Sequence, residues 1–536
     1  MLTLRNSALL CGALFHLWTS AVAQEAPRGP PAAGSRPADE SSRPAGAGSR
    51  PAAGESSRPA GESSRPANEG QRPAGEGLRP LPAEATTRHK ITIGGTVREF
   101  TATAGAVRLS DAQSGAPQAD IAFVAYRLDG AEARTRPVSF VFNGGPGYAS
   151  GWLHLGALGP WRLPMDGAAA APSATPALLD NPDTWLDFTD LVFLDPAGTG
   201  YSRILGNDEV RKSFWSVNGD VNSLAVTIRR WVEANGRGAS PKFIVGESYG
   251  GFRAPKIARI LQTDQGVGID GLVLVGPVLD FRRFDAGDAL LNNVARLPSF
   301  AATVRERKAP ITRDSLKDVE DYAAGEFLVD LVKGVNDKAA MARLTQKVAG
   351  FTGLDPVLVE RFGGRVPVNV FAREINRDTR RISSLYDTNV TSFDPNPQAQ
   401  QSSGDDQLRL GLHAPITQAM VELYQKRLNW TVENGRYMFF NEQAARQWEG
   451  RREAESVSDL RRDLALDPRF RVLITHGLTD VVTPYFETKM VLDQIPEFGA
   501  PDRVRLVVTP GGHMSYTRDA SRMTLRDEAR GLMTAK

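Results

Sequence analysis

The chain has 536 residues, of which 41% are hydrophobic and 24% are charged, and its formal net charge is +2. This composition is ordinary for a soluble globular protein. A net charge this close to zero argues against a nucleic-acid-binding surface or a surface for anionic membranes.

The first 23 residues have the pattern of a secretory signal peptide. Arg5 gives a positively charged start, residues 8–18 are mainly apolar, and residues 21–23 (Ala-Val-Ala) form a small-residue cleavage site. The apolar stretch is too short for a stable transmembrane helix, so we expect a secreted or periplasmic protein without stable membrane insertion after cleavage. An uncleaved anchor is the alternative. The only cysteine, Cys11, lies in this segment, so we expect no disulfide in the mature protein.

Residues 24–85 are predicted to form a disordered linker. They consist of Arg-Pro-Ala units separated by Gly, Ser and Glu, and the arginines recur about every seven residues. A period of seven can indicate a coiled coil, but a proline in each unit is incompatible with a continuous helix. Few apolar residues are present to form a core, and the charges balance. We therefore predict a flexible spacer, with wall binding as a second possibility.

A folded domain is predicted for residues 86–536. Two β-rich runs, residues 121–128 and 138–142, are separated by a charged loop, which predicts two paired strands. The second run leads into residues 143–148 (Asn-Gly-Gly-Pro-Gly-Tyr). So many glycines beside a proline predict a tight loop whose backbone N–H groups are free to contact a ligand, with an ordinary turn as the alternative.

A further buried strand and a helix are predicted before the most informative motif. Residues 190–195 are apolar between two aspartates, and the last of these, Asp195, is interpreted as structural because it precedes the candidate nucleophile. Apolar residues within 217–232 follow helical spacing. Residues 242–247 then form the next predicted strand.

Residues 246–250 (Gly-Glu-Ser-Tyr-Gly) fit the nucleophile-elbow pattern G-x-S-x-G. The glycines two positions before and after Ser248 are needed because a Cβ there would collide across the turn. A strand, a helix and a strand that ends in a nucleophile predict a doubly wound α/β sheet. In a hydrolase of this kind, the loop at 143–148 would contribute an oxyanion donor.

After the elbow, residues 271–276 predict one more strand. From about 290 to 447, charged helix-prone stretches alternate with a polar loop at 389–406, which predicts a mainly helical cap insertion over the sheet. Strands resume at 471–474 and 503–508.

The last two strands lead to Asp480 and His513, an acid and a base in the chain order that follows Ser248 in such hydrolases. A serine hydroxyl needs an imidazole to take its proton and a carboxylate to orient that imidazole. Only His513 follows Asp480 in the chain and satisfies this order. The other histidines all precede Asp480: His16, His89, His154, His413 and His476.

Five motifs in conjunction resemble the serine carboxypeptidase family, peptidase family S10. They are residues 143–147, 195–202, 246–251, Asp480 and residues 512–514. The resemblance extends from about residue 86 to the C-terminus and implies an α/β-hydrolase fold with a helical cap insertion, without a cofactor or a metal ion. Eukaryotic members often have cysteine and serine where Tyr148 and Ala149 stand, so the chain resembles a bacterial-type member.

The resemblance also implies roles for individual residues. The catalytic residues would be Ser248 as nucleophile, Asp480 as acid and His513 as base. The oxyanion N–H groups would come from Gly145 and Tyr249, and the substrate's terminal carboxylate would be bound by Asn143, Gly144 and Glu247. One departure concerns the family motif Glu-Leu-Gly-Pro, which reads Ala-Leu-Gly-Pro at residues 157–160. A second acidic carboxylate-binding residue is therefore missing.

The resulting hypothesis is an exported serine carboxypeptidase that hydrolyses C-terminal peptide bonds through an acyl-enzyme on Ser248. Its partners would be peptide or protein C-termini, and no nucleic acid is expected. An esterase or acyltransferase that uses the same triad on a non-peptide substrate is the alternative. A catalytically inactive, tethered binding protein is a third hypothesis, which the complete triad disfavours.

Overall fold

The computed structural model describes residues 80–165, 171–284, 289–399 and 406–535. The predicted signal peptide, residues 1–23, and most of the predicted linker lie outside these residues. The end of that linker contacts the folded unit: Leu81 packs against the hydrophobic core, and the Ala83 carbonyl accepts a 3.0 Å hydrogen bond from Trp430 Nε1.

The strands, in chain order, are β1 (Ala85–Ile93), β2 (Thr96–Ser110), β3 (Pro117–Leu128), β4 (Val138–Phe142), β5 (Trp161–Arg162), β6 (Leu179–Asp180), β7 (Asp190–Leu194), β8 (Arg203–Ile204), β9 (Lys242–Glu247), β10 (Gly271–Val275), β11 (Arg381–Ser383), β12 (Thr391–Phe393), β13 (Arg471–Gly477) and β14 (Val504–Thr509).

The α-helices are α1 (Gly151–Leu153), α2 (Asp208–Phe214), α3 (Val217–Ala234), α4 (Tyr249–Thr263), α5 (Phe281–Phe284), α6 (Leu290–Glu306), α7 (Lys317–Tyr322), α8 (Leu328–Lys333), α9 (Lys338–Thr352), α10 (Pro356–Arg361), α11 (Val368–Glu374), α12 (Gln407–Glu422), α13 (Glu442–Gln447), α14 (Val457–Leu466), α15 (Tyr485–Leu492) and α16 (Asp519–Thr534). Short 3-10 or π-type turns lie at His154–Leu158, Trp185–Asp187, Arg313–Leu316, Ala323–Phe327, Arg377–Thr379, Leu423–Arg427, Pro501–Arg503 and Ser515–Thr517. Among the described helices, none is both long and apolar enough to cross a membrane.

Within the described chain, a ten-stranded mixed sheet has the order β1-β2-β3-β7-β4-β9-β10-β13-β14, with the short β8 beside β3. The pairings from β1 through β7 are antiparallel, and every pairing from β7 to β14 is parallel. The carboxyl ends of the parallel strands therefore meet at one edge, where ligands bind in open α/β sheets.

Both faces of the parallel strands are covered. Along β9, Phe243 and Val245 point into one hydrophobic core, while Ile244 points into a second core on the opposite face. The first core includes residues of α12 and α16, and the second includes residues of α3, α4 and α14. Because both faces are buried, these strands consist of nearly continuous apolar residues, which made them recognisable in the sequence.

The predicted pairing of residues 121–128 with 138–142 is wrong, because β7 lies between β3 and β4. Asp190 at the start of β7 explains the arrangement. Its carboxylate accepts hydrogen bonds from Arg136 Nε and Arg237 Nη1, both at 2.6 Å, and from the Leu128 backbone N–H at 3.1 Å. These bonds tie the end of β3 and the start of β4 to β7 instead of to each other.

Between β10 and β13, the described residues are mainly helical, from α5 to α14. The polar loop expected at 389–406 contains a strand, because β11 pairs with β12 as an antiparallel hairpin. Each strand has only three residues, which is too short to produce a β-periodic signal in the sequence. A third core joins this region to the sheet domain: Phe300 and Phe371 belong to the same cluster as Leu478 and Tyr485.

Candidate active site

Ser248 lies between the end of β9 and the start of α4 in a strained left-handed conformation, with φ 59° and ψ −122°. The turn is too tight for side chains on its flanks. A Cβ at Gly246 would lie 2.2 Å from the Gly250 carbonyl oxygen, and one at Gly250 would lie 2.8 Å from the Phe142 oxygen. The glycines therefore permit the turn that presents Ser248 at the edge of the sheet.

Asp480 and His513, which follow β13 and β14, form a buried acid–base pair. The Asp480 Oδ2 atom lies 2.8 Å from His513 Nδ1. The other oxygen, Oδ1, accepts hydrogen bonds from the backbone N–H groups of Val482 at 2.8 Å and Thr483 at 2.9 Å. The Thr483 hydroxyl also lies within hydrogen-bond distance of Asp480 Oδ2, at 2.7 Å, and of His513 Nδ1, at 2.9 Å. This arrangement fixes the imidazole with Nδ1 toward Asp480.

The electrostatics of this pair favour a basic imidazole. Burial disfavours the charged form of His513, but the negative charge of Asp480, its hydrogen bond and the charge of Glu247 act in the opposite direction. Their combined effect raises the pKa of His513 above its ordinary value of 6.5. With Nδ1 engaged, the ring nitrogen left for proton transfer is Nε2.

The two residues expected to form the oxyanion site, Gly145 and Tyr249, line the same pocket as Ser248. Tyr249 is the first residue of α4, so its backbone N–H has no acceptor within the helix. Gly145 adopts φ 106°, which favours glycine. Gly144 brings the two segments together, because a Cβ there would lie 2.5 Å from the Tyr249 backbone nitrogen.

Glu247 lies beside Ser248 and is almost fully buried. Its Oε2 atom accepts hydrogen bonds from Asn143 Nδ2 and from the Tyr516 hydroxyl, the latter at 2.8 Å. Burial raises the pKa of Glu247 to about 7, although the charge of His513 and these two hydrogen bonds oppose the increase. The carboxyl can therefore carry a proton near neutral pH, which an ordinary glutamate cannot.

These residues share one pocket of about 130 Å3. The sequence-predicted residues that line it are Asn143, Gly144, Gly145, Glu247, Ser248, Tyr249 and His513. Asp480 lies behind His513 and is fully buried. The structure thus brings together all the site residues that the resemblance implied.

The sequence assigned no role to the other residues that line the pocket: Tyr148, Trp152, Val278, Phe281, Tyr386, Arg451, Val482, Thr483 and Met514. Tyr148 and Met514 lie within the recognised segments 143–148 and 512–514, and this position was a usable signal. Tyr386 had none, because it lies in the turn of the β11–β12 hairpin. Its ring centroid is 5.4 Å from that of His513, and its carbonyl accepts a hydrogen bond from the His513 backbone N–H.

The acidic and basic residues set aside in the sequence occupy structural positions. His154 Nε2 lies 2.7 Å from the Tyr126 hydroxyl, and burial lowers the pKa of His154 to about 3. His476 contacts Thr488 Oγ1 at 2.9 Å. Asp195 accepts hydrogen bonds from the backbone N–H and the hydroxyl of Ser150, each at 2.8 Å. In the described part of the chain, no cluster of His, Cys, Asp and Glu could hold a metal ion.

Comparisons with known proteins point to one family. The sequence model of the serine carboxypeptidase family matches residues 123–521. Serine carboxypeptidase-like 33 of Arabidopsis thaliana is 26% identical over 301 residues, which cover 48% of this chain and 60% of that protein. The pheromone-processing carboxypeptidase kex1 of Schizosaccharomyces pombe is 33% identical over 135 residues, 25% of this chain and 24% of that protein. The matched segments thus span less than two thirds of these relatives.

Among solved structures, the prohormone-processing carboxypeptidase Kex1(delta)p of Saccharomyces cerevisiae aligns with a TM-score of 0.51 at 15% identity. The alignment covers 81% of this chain and 90% of that one. This similarity confirms the predicted α/β-hydrolase fold. Because the family model matches well over half of the chain, this protein belongs to the serine carboxypeptidase family, peptidase family S10.

Proposed function

We propose that this protein is an exported serine carboxypeptidase that releases the C-terminal residue of a peptide through an acyl-enzyme on Ser248. The observation that carries the proposal is the position of Glu247, a buried carboxyl with its pKa raised to about 7, in the same pocket as Ser248 and His513. A serine hydrolase for neutral esters has no need of such a group, whereas an enzyme for free C-termini has to bind a carboxylate.

The proposed reaction uses Ser248, His513 and Asp480 in the roles that the family resemblance implies. His513 Nε2 takes the proton of the Ser248 hydroxyl as its oxygen attacks the last peptide carbonyl. The N–H groups of Gly145 and Tyr249 stabilise the negative oxygen of the tetrahedral intermediate. When the C–N bond breaks, the imidazolium returns the proton to the departing amine. Water then attacks the ester with His513 again as base, and the acid product leaves with Ser248 restored.

Recognition of the substrate's terminal carboxylate uses Glu247 as a hydrogen-bond donor. Two carboxylates in contact cannot both be ionised cheaply, so the complex holds a proton on Glu247. Asn143 Nδ2 gives one hydrogen to Glu247 and has a second hydrogen to offer. Gly144 lines the pocket beside it and permits close approach to the backbone.

The alternative, an esterase or acyltransferase, is favoured by one specific residue. Ala157 stands where the family motif has an acidic carboxylate-binding residue, and its side chain is buried in the hydrophobic core. A site with one acid binds carboxylates less strongly than a site with two. An acyl donor without a carboxylate would be unaffected by this loss.

The proposal is tested by comparing N-blocked dipeptides with short acyl esters at pH 5 to 8. We expect release of the C-terminal amino acid from the dipeptide, with a kcat/KM at least about tenfold above that for the dipeptide amide. A protein that turns over esters and leaves both dipeptides intact would be the alternative enzyme. Failure of a fluorophosphonate to label Ser248 would instead support an inactive binding protein.

The export part of the proposal rests on the sequence pattern at residues 1–23. Expression in a bacterial host with fractionation of cytoplasm, periplasm and medium tests it. We expect the mature protein outside the cytoplasm, with an N-terminus at Gln24 by mass spectrometry. Recovery of the uncleaved chain with the membrane fraction would show that the segment is an anchor.

A further inference from the structure

Tyr516 lies three residues after His513, in the short turn Ser515–Thr517, and its side chain is fully buried. Its ring packs against the turn His154–Leu158, so closely that a Cβ on Gly156 would lie 2.7 Å from ring carbon Cε2. Ala157 belongs to that turn. The phenol of Tyr516 thus reaches Glu247 from the part of the fold where the family motif would have supplied a second acid.

The hydroxyl of Tyr516 and the amide of Asn143 converge on a single oxygen of Glu247, Oε2. The orientation of the Asn143 amide is fixed, because its Oδ1 accepts a 3.1 Å hydrogen bond from the Leu153 backbone N–H. The Tyr516 hydroxyl is always a donor, since burial and then the charge and hydrogen bond of Glu247 raise the pKa of Tyr516 far above its ordinary value. Oε2 therefore accepts two hydrogen bonds that do not vary with pH.

The other oxygen, Oε1, receives neither of these bonds, and Glu247 lines the pocket next to Ser248. A carboxyl oxygen that already accepts two hydrogen bonds has little capacity left to carry a proton. When Glu247 is protonated, the proton consequently resides on Oε1. That is the oxygen available to a ligand in the pocket.

We propose that Tyr516 is a specificity-determining residue, whose hydroxyl directs the Glu247 proton to Oε1 and so prepares it to donate to the terminal carboxylate of a peptide substrate. The neutral phenol of Tyr516 thus orients the proton of Glu247, as a second acid that shared this proton would do. The inference deepens the proposed carboxypeptidase function and rests on it. Tyr516 acts through Glu247, so its effect is confined to substrates with a free carboxylate.

The pH dependence follows from the groups around Glu247. His513 and the Asn143 and Tyr516 hydrogen bonds lower its pKa, while burial and the charge of Asp480 raise it. Tyr148 also interacts with the Glu247 charge. Removal of the Tyr516 hydroxyl deletes one donor that stabilises the ionised form, so the pKa of Glu247 rises further. The proton also loses its preference for Oε1.

The test is the KM of an N-blocked dipeptide as a function of pH in the wild type and in Tyr516→Phe. We expect the variant's KM at pH 5 to rise about three- to tenfold, because the acid is less well oriented. The pH at which KM begins to increase should shift upward by about one unit, as expected for the loss of a hydrogen bond to a charged group. The KM for a neutral acyl ester should change much less.

Two comparisons separate this role from a structural one. Tyr437→Phe removes a buried hydroxyl that has no partner among the described residues, and we expect its peptide KM profile to match the wild type. In a Glu247→Gln background, where no proton has to be directed, Tyr516→Phe should no longer shift the pH profile. If Tyr516→Phe does not fold, Tyr516→Leu, which also lacks the hydroxyl, is measured in the same way.

The inference is overturned if the peptide KM profiles of the wild type and Tyr516→Phe coincide. It is equally overturned if Tyr516→Phe shifts peptide and ester kinetics alike, or acts undiminished in the Glu247→Gln background. A wild-type enzyme that shows no preference for the free carboxylate over the amide would contradict the proposed function itself. The two failures are thus distinguishable.

Discussion

His513 and Glu247 have to be in protonation states that are favoured at opposite ends of the pH range. His513 has to be neutral to accept a proton, and its pKa is raised above 6.5. We therefore expect kcat/KM for a neutral acyl ester to increase with pH and to level off above that pKa. A peptide with a free carboxylate also needs protonated Glu247, so its kcat/KM should pass through a maximum and fall at higher pH. Parallel pH–rate measurements on one enzyme sample with both substrates check this difference.

The Glu247→Gln variant isolates the requirement for a protonated Glu247. Glutamine has a permanent donor in place of the titrating group, and the pKa of Glu247 is raised to about 7. We expect the KM for an N-blocked dipeptide to become nearly independent of pH from 5 to 8, while the wild-type KM rises across that range. Steady-state kinetics at four or more pH values provide the measurement. An unchanged, still rising profile in the variant would mean that Glu247 only supports the elbow.

At the element scale, the turn of the β11–β12 hairpin holds the acid and base loops in place. Asp387 accepts a 2.8 Å hydrogen bond from the Thr479 hydroxyl, next to Asp480, and its other oxygen pairs with Arg518 at 2.8 Å. Asp387→Ala leaves both partners without this acceptor in a largely buried region. We expect a loss of about 2–3 kcal/mol in the free energy of unfolding and a lower kcat for esters, by about tenfold.

Asp337→Ala serves as the matched control within the same helical region. Asp337 caps α9 by accepting hydrogen bonds from the backbone N–H groups of Ala339 and Ala340. Its loss should cost about 1 kcal/mol and leave kcat unchanged. Chemical denaturation and ester turnover of both variants give the two quantities. Equal kcat values for Asp387→Ala and the wild type would show that the hairpin does not position the catalytic loops.

The strands and turns of the structure show which features of the fold and the site could be predicted from the sequence. Strands with both faces buried, such as β9 and β10, are continuous apolar runs, and their ends carry Ser248 and the glycine-rich loops. Pairing between strands was not predictable, because Asp190 joins segments distant in sequence through two arginines. The positions of Tyr386 and Tyr516 in the site could not be predicted from the sequence either. Their roles depend on a three-residue strand pair and on one long-range hydrogen bond, which no local pattern encodes.

At the scale of the whole molecule, buried carboxyl groups outside the site influence stability. Burial raises the pKa of Glu487 on α15 to about 7, and its Oε1 has no partner among the described residues. A carboxyl whose pKa is higher in the folded state than in the unfolded state binds its proton more tightly when folded. Its stabilising contribution is therefore complete below about pH 4.5 and is lost as pH rises to about 7.

Glu487→Gln should remove this dependence. From pH 5 to pH 8, we expect the stability of the variant relative to the wild type to increase by about 2 kcal/mol. Urea unfolding at the two pH values gives the difference, in which the contributions of all other groups cancel. Glu209→Gln, at an exposed position on α2, is the control for the chemical change itself. A pH-independent difference for Glu487→Gln would contradict this assignment.

In the proposed reaction, Ser248 attacks the peptide bond next to a free C-terminal carboxylate. The most direct measurement follows, by mass spectrometry, the products formed from an N-blocked peptide and from its C-terminal amide with the wild type and with Ser248→Ala. We predict stepwise loss of C-terminal residues from the free acid, much slower reaction of the amide, and a loss of about 10⁴-fold or more in Ser248→Ala. Equal rates for acid and amide, internal cleavage, or retained activity in Ser248→Ala would contradict the account.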